Sequence, residues 1–215
     1  MVWPGHFSLV QTDEALAQVA ASIRRYHDAA ADFRFDGFAW SDRGADPRGP
    51  SEVLCHNDLA PWNLVRSERG QWTFIDWDLA APGRLAWDLA WALLSFTPLL
   101  PHSTLTDAQT RHRLTVFYNA YGTPLPNDLI GVAIERCAHE AEQIEQRGKA
   151  GVEPYARLLA EGHAAIWRSA RLTLPRSTCS GNPLCPDPFR AAVAREHSPD
   201  EIVCTADVSC LPGCR

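Results

Sequence analysis

Apolar residues recur at helical spacing near the start of the chain. Leu16, Val19, Ile23 and Ala30 would fall on one face of a helix, and the threonine and two acids that precede them are typical of a helix N-terminus. The pattern predicts a helix over residues 12–32.

Shorter apolar runs follow a polar tract. Residues 36–50 are rich in Gly, Pro, Asp and Arg and predict a loop, and the apolar residues at 52–55 then predict a strand. Two further apolar runs, at 63–65 and 71–75, flank a turn-forming segment at 67–70 that contains a glycine. They predict a β-hairpin.

The second half of the chain has helical periodicity. Residues 84–96 are apolar on nearly every side apart from Asp88, which predicts a buried helix. Three amphipathic helices are predicted after it, over residues 107–122, 127–147 and 154–172.

The last segment, residues 175–215, has no such periodicity. Prolines separate its five cysteines, whose spacing does not match that of zinc ligands, and disulfides are uncommon in the cytoplasm. We therefore expect a disordered tail after an N-terminal helix and loop (1–50) and a catalytic-loop hairpin with a helical subdomain (51–174). The cysteines of the tail are Cys179, Cys185, Cys204, Cys210 and Cys214.

Composition and charge limit the classes of partner. A chain of 215 residues with 46% hydrophobic content can bury a sizeable core. It has neither an apolar run of about eighteen residues nor the start of a signal peptide, so we expect a cytoplasmic protein without a membrane partner. The net charge of -6 and the lack of a basic stripe argue against nucleic acid and suit a cationic small molecule.

Candidate catalytic and metal-binding residues lie around the predicted hairpin. His56, Asp58 and Asn63 form the pattern H-x-D-x-x-x-x-N, and Asp76 and Asp78 follow the second hairpin strand. Carboxylate and carboxamide oxygens suit Mg²⁺, and a carboxylate can orient or deprotonate an attacking hydroxyl. Singly, these residues could be turn residues, an Asx-turn or a strand-end cap. Together they indicate a magnesium and phosphoryl-transfer site.

This pattern, with the segment W-D-L-A at 87–90, resembles the C-terminal lobe of aminoglycoside phosphotransferases and choline-kinase-like enzymes. The resemblance covers about residues 10–170. It implies an α-rich α+β fold, the C-terminal lobe of a protein-kinase-like fold. Because no lysine and no glycine-rich loop precede His56, we expect the N-terminal β lobe to be missing. Asn57 replaces the arginine of the protein-kinase motif, and Trp77 and Asp78 replace its Phe-Gly. Both replacements point to a small-molecule kinase.

The resemblance also implies roles for the residues. Asp58 would be the catalytic base, and Asn63 and Asp76 would be the metal ligands. In supporting roles, His56 would brace the loop and Asp78 would be a polar group near the metal.

Further residues are implied around this centre. Asp88 would accept hydrogen bonds from the catalytic loop; the alternative is an aspartate that faces solvent at a helix start. Acidic residues of the helical subdomain would line the acceptor pocket, although acids on an amphipathic helix are more often a solvated face. The acids considered are Glu135, Glu140, Glu142 and Glu145.

The implied reaction is transfer of the γ-phosphate of ATP or GTP, with Mg²⁺, to a hydroxyl of a small cationic acceptor such as an aminoglycoside or amino alcohol. One lysine is present, Lys149, and no glycine-rich loop precedes His56. Protein kinases clamp the phosphates with a lysine that precedes the catalytic loop. The alternative is therefore a shortened, inactive homologue that acts as a binding protein or is a gene remnant. Metal-dependent phosphoester hydrolysis is a third possibility, weakened by the lack of a histidine-rich metal site.

Overall fold

The computed structural model describes residues 8–97, 99, 105–122, 124–126 and 128–173. The tail prediction for residues 175–215 lies outside this part of the chain. The helices are α1 (Asp13–Ala30), α2 (Leu85–Phe96), α3 (Asp107–Tyr121), α4 (Leu129–Lys149), α5 (Tyr155–Ala160) and α6 (His163–Thr173), and the strands are β1 (Val53–Cys55), β2 (Leu64–Arg66), β3 (Trp72–Phe74) and β4 (Ala81–Gly83). The described chain is thus rich in helix, as predicted, with two small antiparallel sheets.

The predicted hairpin is present as β2 and β3, which pair antiparallel with Leu64 opposite Phe74. Its turn contains Gly70 at φ +79°, a backbone conformation that glycine adopts without strain. A second pair was not predicted: β1 pairs antiparallel with β4. The three residues of β4 include a proline and show no alternation of apolar and polar positions, so no strand was predicted there.

Two helices begin where the sequence predicts an N-cap. The Thr12 side chain accepts a hydrogen bond from the Ala15 amide at 3.2 Å, and Thr106 forms a reciprocal capping box with Gln109. Helix α1 packs on α3, while α4 packs on α2, α5 and α6. The apolar helix α2 is almost entirely buried, as its sequence predicts.

The predicted single helix over residues 154–172 is wrong in one respect. It is two helices, α5 and α6, separated at Gly162, where φ is +82°. This left-handed conformation cannot continue a right-handed helix. Among the described residues, no helix combines the length and apolar character needed to cross a lipid bilayer.

Candidate active site

The segment from His56 to Asn63 connects β1 to β2 in a fixed conformation. Asn57 has φ +66°, which asparagine tolerates better than most residues, and its side chain donates to the Leu79 carbonyl at 2.9 Å. Gly44 lies against it, because a Cβ added to Gly44 would come within 2.8 Å of the Asn57 Cβ. Asn57, the residue before Asp58, is therefore held between Leu79 and Gly44.

The carboxylate of Asp58 is held by three N–H donors. Its Oδ1 accepts from the indole of Trp91 at 2.9 Å. Its Oδ2 accepts from the indole of Trp62 at 3.1 Å and from the amide of Asn63 at 2.7 Å. These bonds come from two parts of the chain, the loop itself and α2, and they fix the orientation of the carboxylate.

His56 is fully buried and uses both ring nitrogens. Nε2 lies 3.1 Å from the Ile75 carbonyl, and Nδ1 lies 3.3 Å from the Asp58 amide nitrogen. Because a carbonyl only accepts and an amide N–H only donates, the ring is the neutral form with its proton on Nε2. Its face packs on Trp77 with ring centroids 4.4 Å apart. The imidazole joins the loop to the end of β3.

Asn63 and Asp76 lie at the open end of the hairpin. The Ile75 amide donates to the Asn63 carbonyl at 2.9 Å, so Asp76 is the next residue beyond this backbone contact. The Asn63 side-chain NH₂ donates to the carbonyl and carboxylate of Asp58, and its Oδ1 accepts no hydrogen bond from any residue that the structure describes. Asp76 and Asp78 are exposed, and no hydrogen bond or ion pair engages their carboxylates within the described residues.

These oxygens fit Mg²⁺ better than they fit a softer metal. Within the described ranges, no group of three or more His, Cys, Asp or Glu side chains is placed to bind a metal ion. A magnesium site needs fewer protein ligands, because Mg²⁺ keeps several waters and is often held by one or two carboxylates together with phosphate oxygens. The amide oxygen of Asn63 and the carboxylates of Asp76 and Asp78 offer such a partial ligand set.

Asp88 is completely buried beneath the loop. Its Oδ1 accepts from the Asn57 amide at 2.7 Å, and its Oδ2 accepts from the His56 amide at 3.0 Å and lies 3.2 Å from His27 Nε2. Burial alone would raise the pKa of Asp88, but the hydrogen bond and charge of His27 and the hydrogen bond from the His56 backbone amide outweigh it and lower that pKa. A buried carboxylate with these donors holds the loop backbone.

His27 was not identified from the sequence. It lies on α1, is fully buried, and connects Asp88 to the Tyr121 hydroxyl of α3, which is 2.9 Å from its Nδ1. A signal was present, because His27 follows Ile23 by one helical turn on the apolar face of α1. Trp91 was missed as well, since an indole in an apolar helix is normally assigned to packing.

The four acids considered for the acceptor pocket differ in their surroundings. Glu140 is half-buried, and burial raises the pKa of its carboxyl, with Arg136 acting against the rise and Asp58 adding to it. The other three are ion-paired or exposed: Glu135 pairs with Arg84 and Arg48, Glu145 with Arg168, and Glu142 faces solvent.

Comparison with known proteins gives two findings. The sequence model of the phosphotransferase enzyme family matches residues 4–122, a range that includes the loop, the hairpin and α2. A trifolitoxin immunity protein from Rhizobium leguminosarum bv. trifolii is 36% identical over 93 residues, which are 42% of this chain and 34% of that protein. The chain thus matches about a third of the length of that relative. No solved structure gave a significant match.

Replacing Asp88 by alanine should lower the free energy of unfolding by about 2–4 kcal/mol, because two loop amides would be left buried without an acceptor. Urea unfolding followed by tryptophan fluorescence measures this. The exposed Asp78→Ala is the control and should change stability by less than about 0.5 kcal/mol. An equally small effect for Asp88→Ala would contradict its role in holding the loop.

Because the pKa of Asp88 is lowered in the folded state, the stability of the fold should decrease at acidic pH. A carboxyl with a lower pKa in the folded state stabilises the fold above its ordinary pKa, and this stabilisation is lost as the pH falls towards the folded value. The wild-type chain should therefore lose stability more steeply than Asp88→Ala below about pH 4.

Proposed function

The chain belongs to the phosphotransferase enzyme family, and from this we propose that Asp58 and the acids after β3 form the base and metal half of a phosphoryl-transfer site. The order of loop, hairpin and buried helix, followed by a helical subdomain, supports the C-terminal lobe of a protein-kinase-like fold as the architecture. Phosphoryl transfer depends mostly on positioning and on charge stabilisation.

The remaining hydrogen-bonding capacity of Asp58 carries this proposal. An ionised carboxylate offers about four lone-pair sites, and three are taken by Trp62, Asn63 and Trp91. The site left over is on Oδ1, which has a single N–H partner. A substrate hydroxyl would donate its hydrogen bond there, and Oδ1 would take the proton as the hydroxyl oxygen attacks the γ-phosphorus of the nucleotide. The bond from that phosphorus to the β,γ-bridging oxygen would break, and the nucleoside diphosphate would leave.

Asn63 Oδ1 and Asp76 would hold Mg²⁺, with Asp78 close by. When bound, Mg²⁺ would neutralise charge on the phosphate oxygens. Asn63 also donates to Asp58, so the same side chain would set the distance between metal and base. This shared contact supports one site rather than two independent ones.

The acceptor would be a small cationic molecule, such as an aminoglycoside or an amino alcohol. Glu140 on α4 is half-buried, and its pKa is raised chiefly by burial and further by the charge of Asp58. The Asp58 carboxylate accepts from the Trp91 indole, and Trp91 stacks on Trp167 with ring centroids 5.1 Å apart. A carboxylate beside aromatic rings favours a bound ammonium group.

Transfer also requires a clamp on the phosphates of the nucleotide. Residues 1–55 contain no lysine and no glycine-rich loop, whereas kinases use both to hold ATP or GTP. The alternative is therefore a catalytically inactive homologue that binds its ligand without transfer. Because such a homologue could bind its ligand without transferring phosphate, metal binding and Asp58-dependent transfer need separate tests.

The first test is metal binding. Titration of Mn²⁺ as a paramagnetic substitute for Mg²⁺ should give saturable binding that Asp76→Ala abolishes and Asp78→Asn weakens. Glu68→Ala, at the turn end of the same hairpin, removes one exposed charge far along the strands and should leave the affinity unchanged. Equal affinity in the wild type and Asp76→Ala would refute the metal site.

The second test is transfer itself. With radiolabelled ATP or GTP and a panel of aminoglycosides and amino alcohols, the 215-residue chain should label nothing above background, because the missing clamp is worth several powers of ten in rate. Fusion to the phosphate-binding lobe of a family member should restore transfer that Asp58→Asn removes. Transfer by the chain alone that depends on Asp58 would show that an arginine replaces the lysine.

A second candidate function is toxin immunity, favoured by the similarity to the trifolitoxin immunity protein. Expression in trifolitoxin-sensitive cells should then protect them. The matched variant Asp58→Asn distinguishes protection by catalysis from protection by binding. If Asp58→Asn no longer protects the cells, protection depends on catalysis; if it still protects them, binding is sufficient. Growth of both strains without the toxin is the control, and no protection by the wild type would eliminate this function.

A further inference from the structure

Arg136 is a buried cation that the reaction proposed above does not use. It lies on α4 with a relative exposure of 1%. Its guanidinium carbon is 4.6 Å from the ring centre of Trp87 and 4.9 Å from that of Trp91. Burying a charge at this depth is unfavourable unless its donors are used.

The donors of Arg136 are directed at the catalytic loop and the segment beside it. Nη2 donates to the Asn57 carbonyl at 2.7 Å, and Nη1 donates to the Gly44 carbonyl at 2.9 Å and to Asn57 Oδ1 at 3.4 Å. In the part of the chain that the structure describes, Nε has no hydrogen-bond partner. Most of the directional bonding of the guanidinium thus goes to one residue, Asn57.

Acids around the site offset part of the cost of burying the charge of Arg136. Burial lowers the pKa of its guanidinium, and the charges of Glu140, Asp88 and Asp58 act in the opposite direction. The cation is therefore placed among acidic residues that the proposed reaction uses, although it does not form a direct ion pair with any of them within the described ranges.

The contact with Asn57 bears directly on Asp58. The Asn57 carbonyl belongs to the peptide group that joins Asn57 to Asp58, and a peptide group is planar. Asp88 holds the N–H of Asn57 and Arg136 holds its C=O, so a residue with φ +66° is fixed from α2 and from α4. Fixing this plane sets the direction in which the Asp58 side chain leaves the backbone.

A second route from Arg136 to the carboxylate passes through Trp91. The guanidinium lies over the ring of Trp91, and the indole N–H of that ring donates to Asp58 Oδ1. This is the oxygen with an acceptor site left for a substrate hydroxyl. Displacement of the guanidinium would therefore affect both the backbone and the side chain of Asp58.

We propose that Arg136 is a positioning residue, which sets the orientation of Asp58 through the Asn57 carbonyl and the Trp91 indole. This proposal rests on the proposed function, because the orientation of Asp58 matters for catalysis only if Asp58 is the base. The orientation itself is measurable without any phosphoryl transfer.

The test compares Arg136→Lys with Arg113→Lys in the full chain. Lysine keeps the charge but cannot donate in the forked geometry of a guanidinium. Arg113 is a matched control because it is also buried and donates to backbone carbonyls, those of Val10, Gln11 and Phe96, outside the catalytic loop. Arg136→Gln serves as a second variant in case the lysine destabilises the fold.

The first readout is the indole N–H signal of Trp91 in a ¹⁵N spectrum, assigned with Trp91→Phe. In Arg136→Lys or Arg136→Gln this signal should shift and its hydrogen should exchange faster, whereas Arg113→Lys should leave it in place even at equal loss of stability. The second readout is Mn²⁺ affinity, which should weaken by about tenfold because Asp58 also holds Asn63.

Three results are informative. An unchanged Trp91 signal in both folded Arg136 variants would overturn the proposal. Equal changes in the Arg136 and Arg113 variants would reduce Arg136 to a structural residue and overturn it as well. Absence of Mn²⁺ binding in the wild type would refute the proposed function, while a Trp91 shift confined to the Arg136 variants would still establish the positioning role.

Discussion

The hydrogen bonding of the Asp88 carboxylate is the interaction on which the rest of the site depends. A carboxylate without solvent contact must be satisfied by donors. Two of its donors are the amides of His56 and Asn57, and a third is the buried ring of His27. The same bonds that make Asp88 tolerable in the core therefore determine the backbone of the loop. The stability of the fold and the shape of the site cannot be varied independently.

This constraint divides the site into a rigid part and an open part. Asp58 is held by side chains of its own loop and of α2, and Arg136 adds a contact from α4, so the proposed base is linked to three segments of the chain. Asp76 and Asp78 are instead exposed at the end of the hairpin. Such a division suits phosphoryl transfer, in which the acceptor must be oriented closely while metal, water and phosphate oxygens exchange.

The sequence by itself determined the features whose physical signals are local. Thr12 and Thr106 predicted the starts of two helices, because an N-cap needs only a side-chain oxygen within reach of the next three residues. Apolar runs on either side of a glycine turn predicted the hairpin, and the apolar surroundings of Asp88 predicted its burial. The family also followed from the sequence, because its motif is a short pattern of residue types with fixed spacing.

Only the tertiary structure decided which distant residues complete the site. Trp91 reaches Asp58 across 33 residues, His27 reaches Asp88 across 61, and Arg136 reaches Gly44 across 92. The pairing of β1 with β4 has the same origin, since the sequence predicts a strand at β1 but the three residues of β4 carry no strand signal of their own. An indole, an imidazole or a guanidinium on a helix face has many possible partners in the sequence. Packing of the helices leaves each of these side chains with one set of hydrogen-bond partners. Because the side chains are removed from water, those hydrogen bonds must be made.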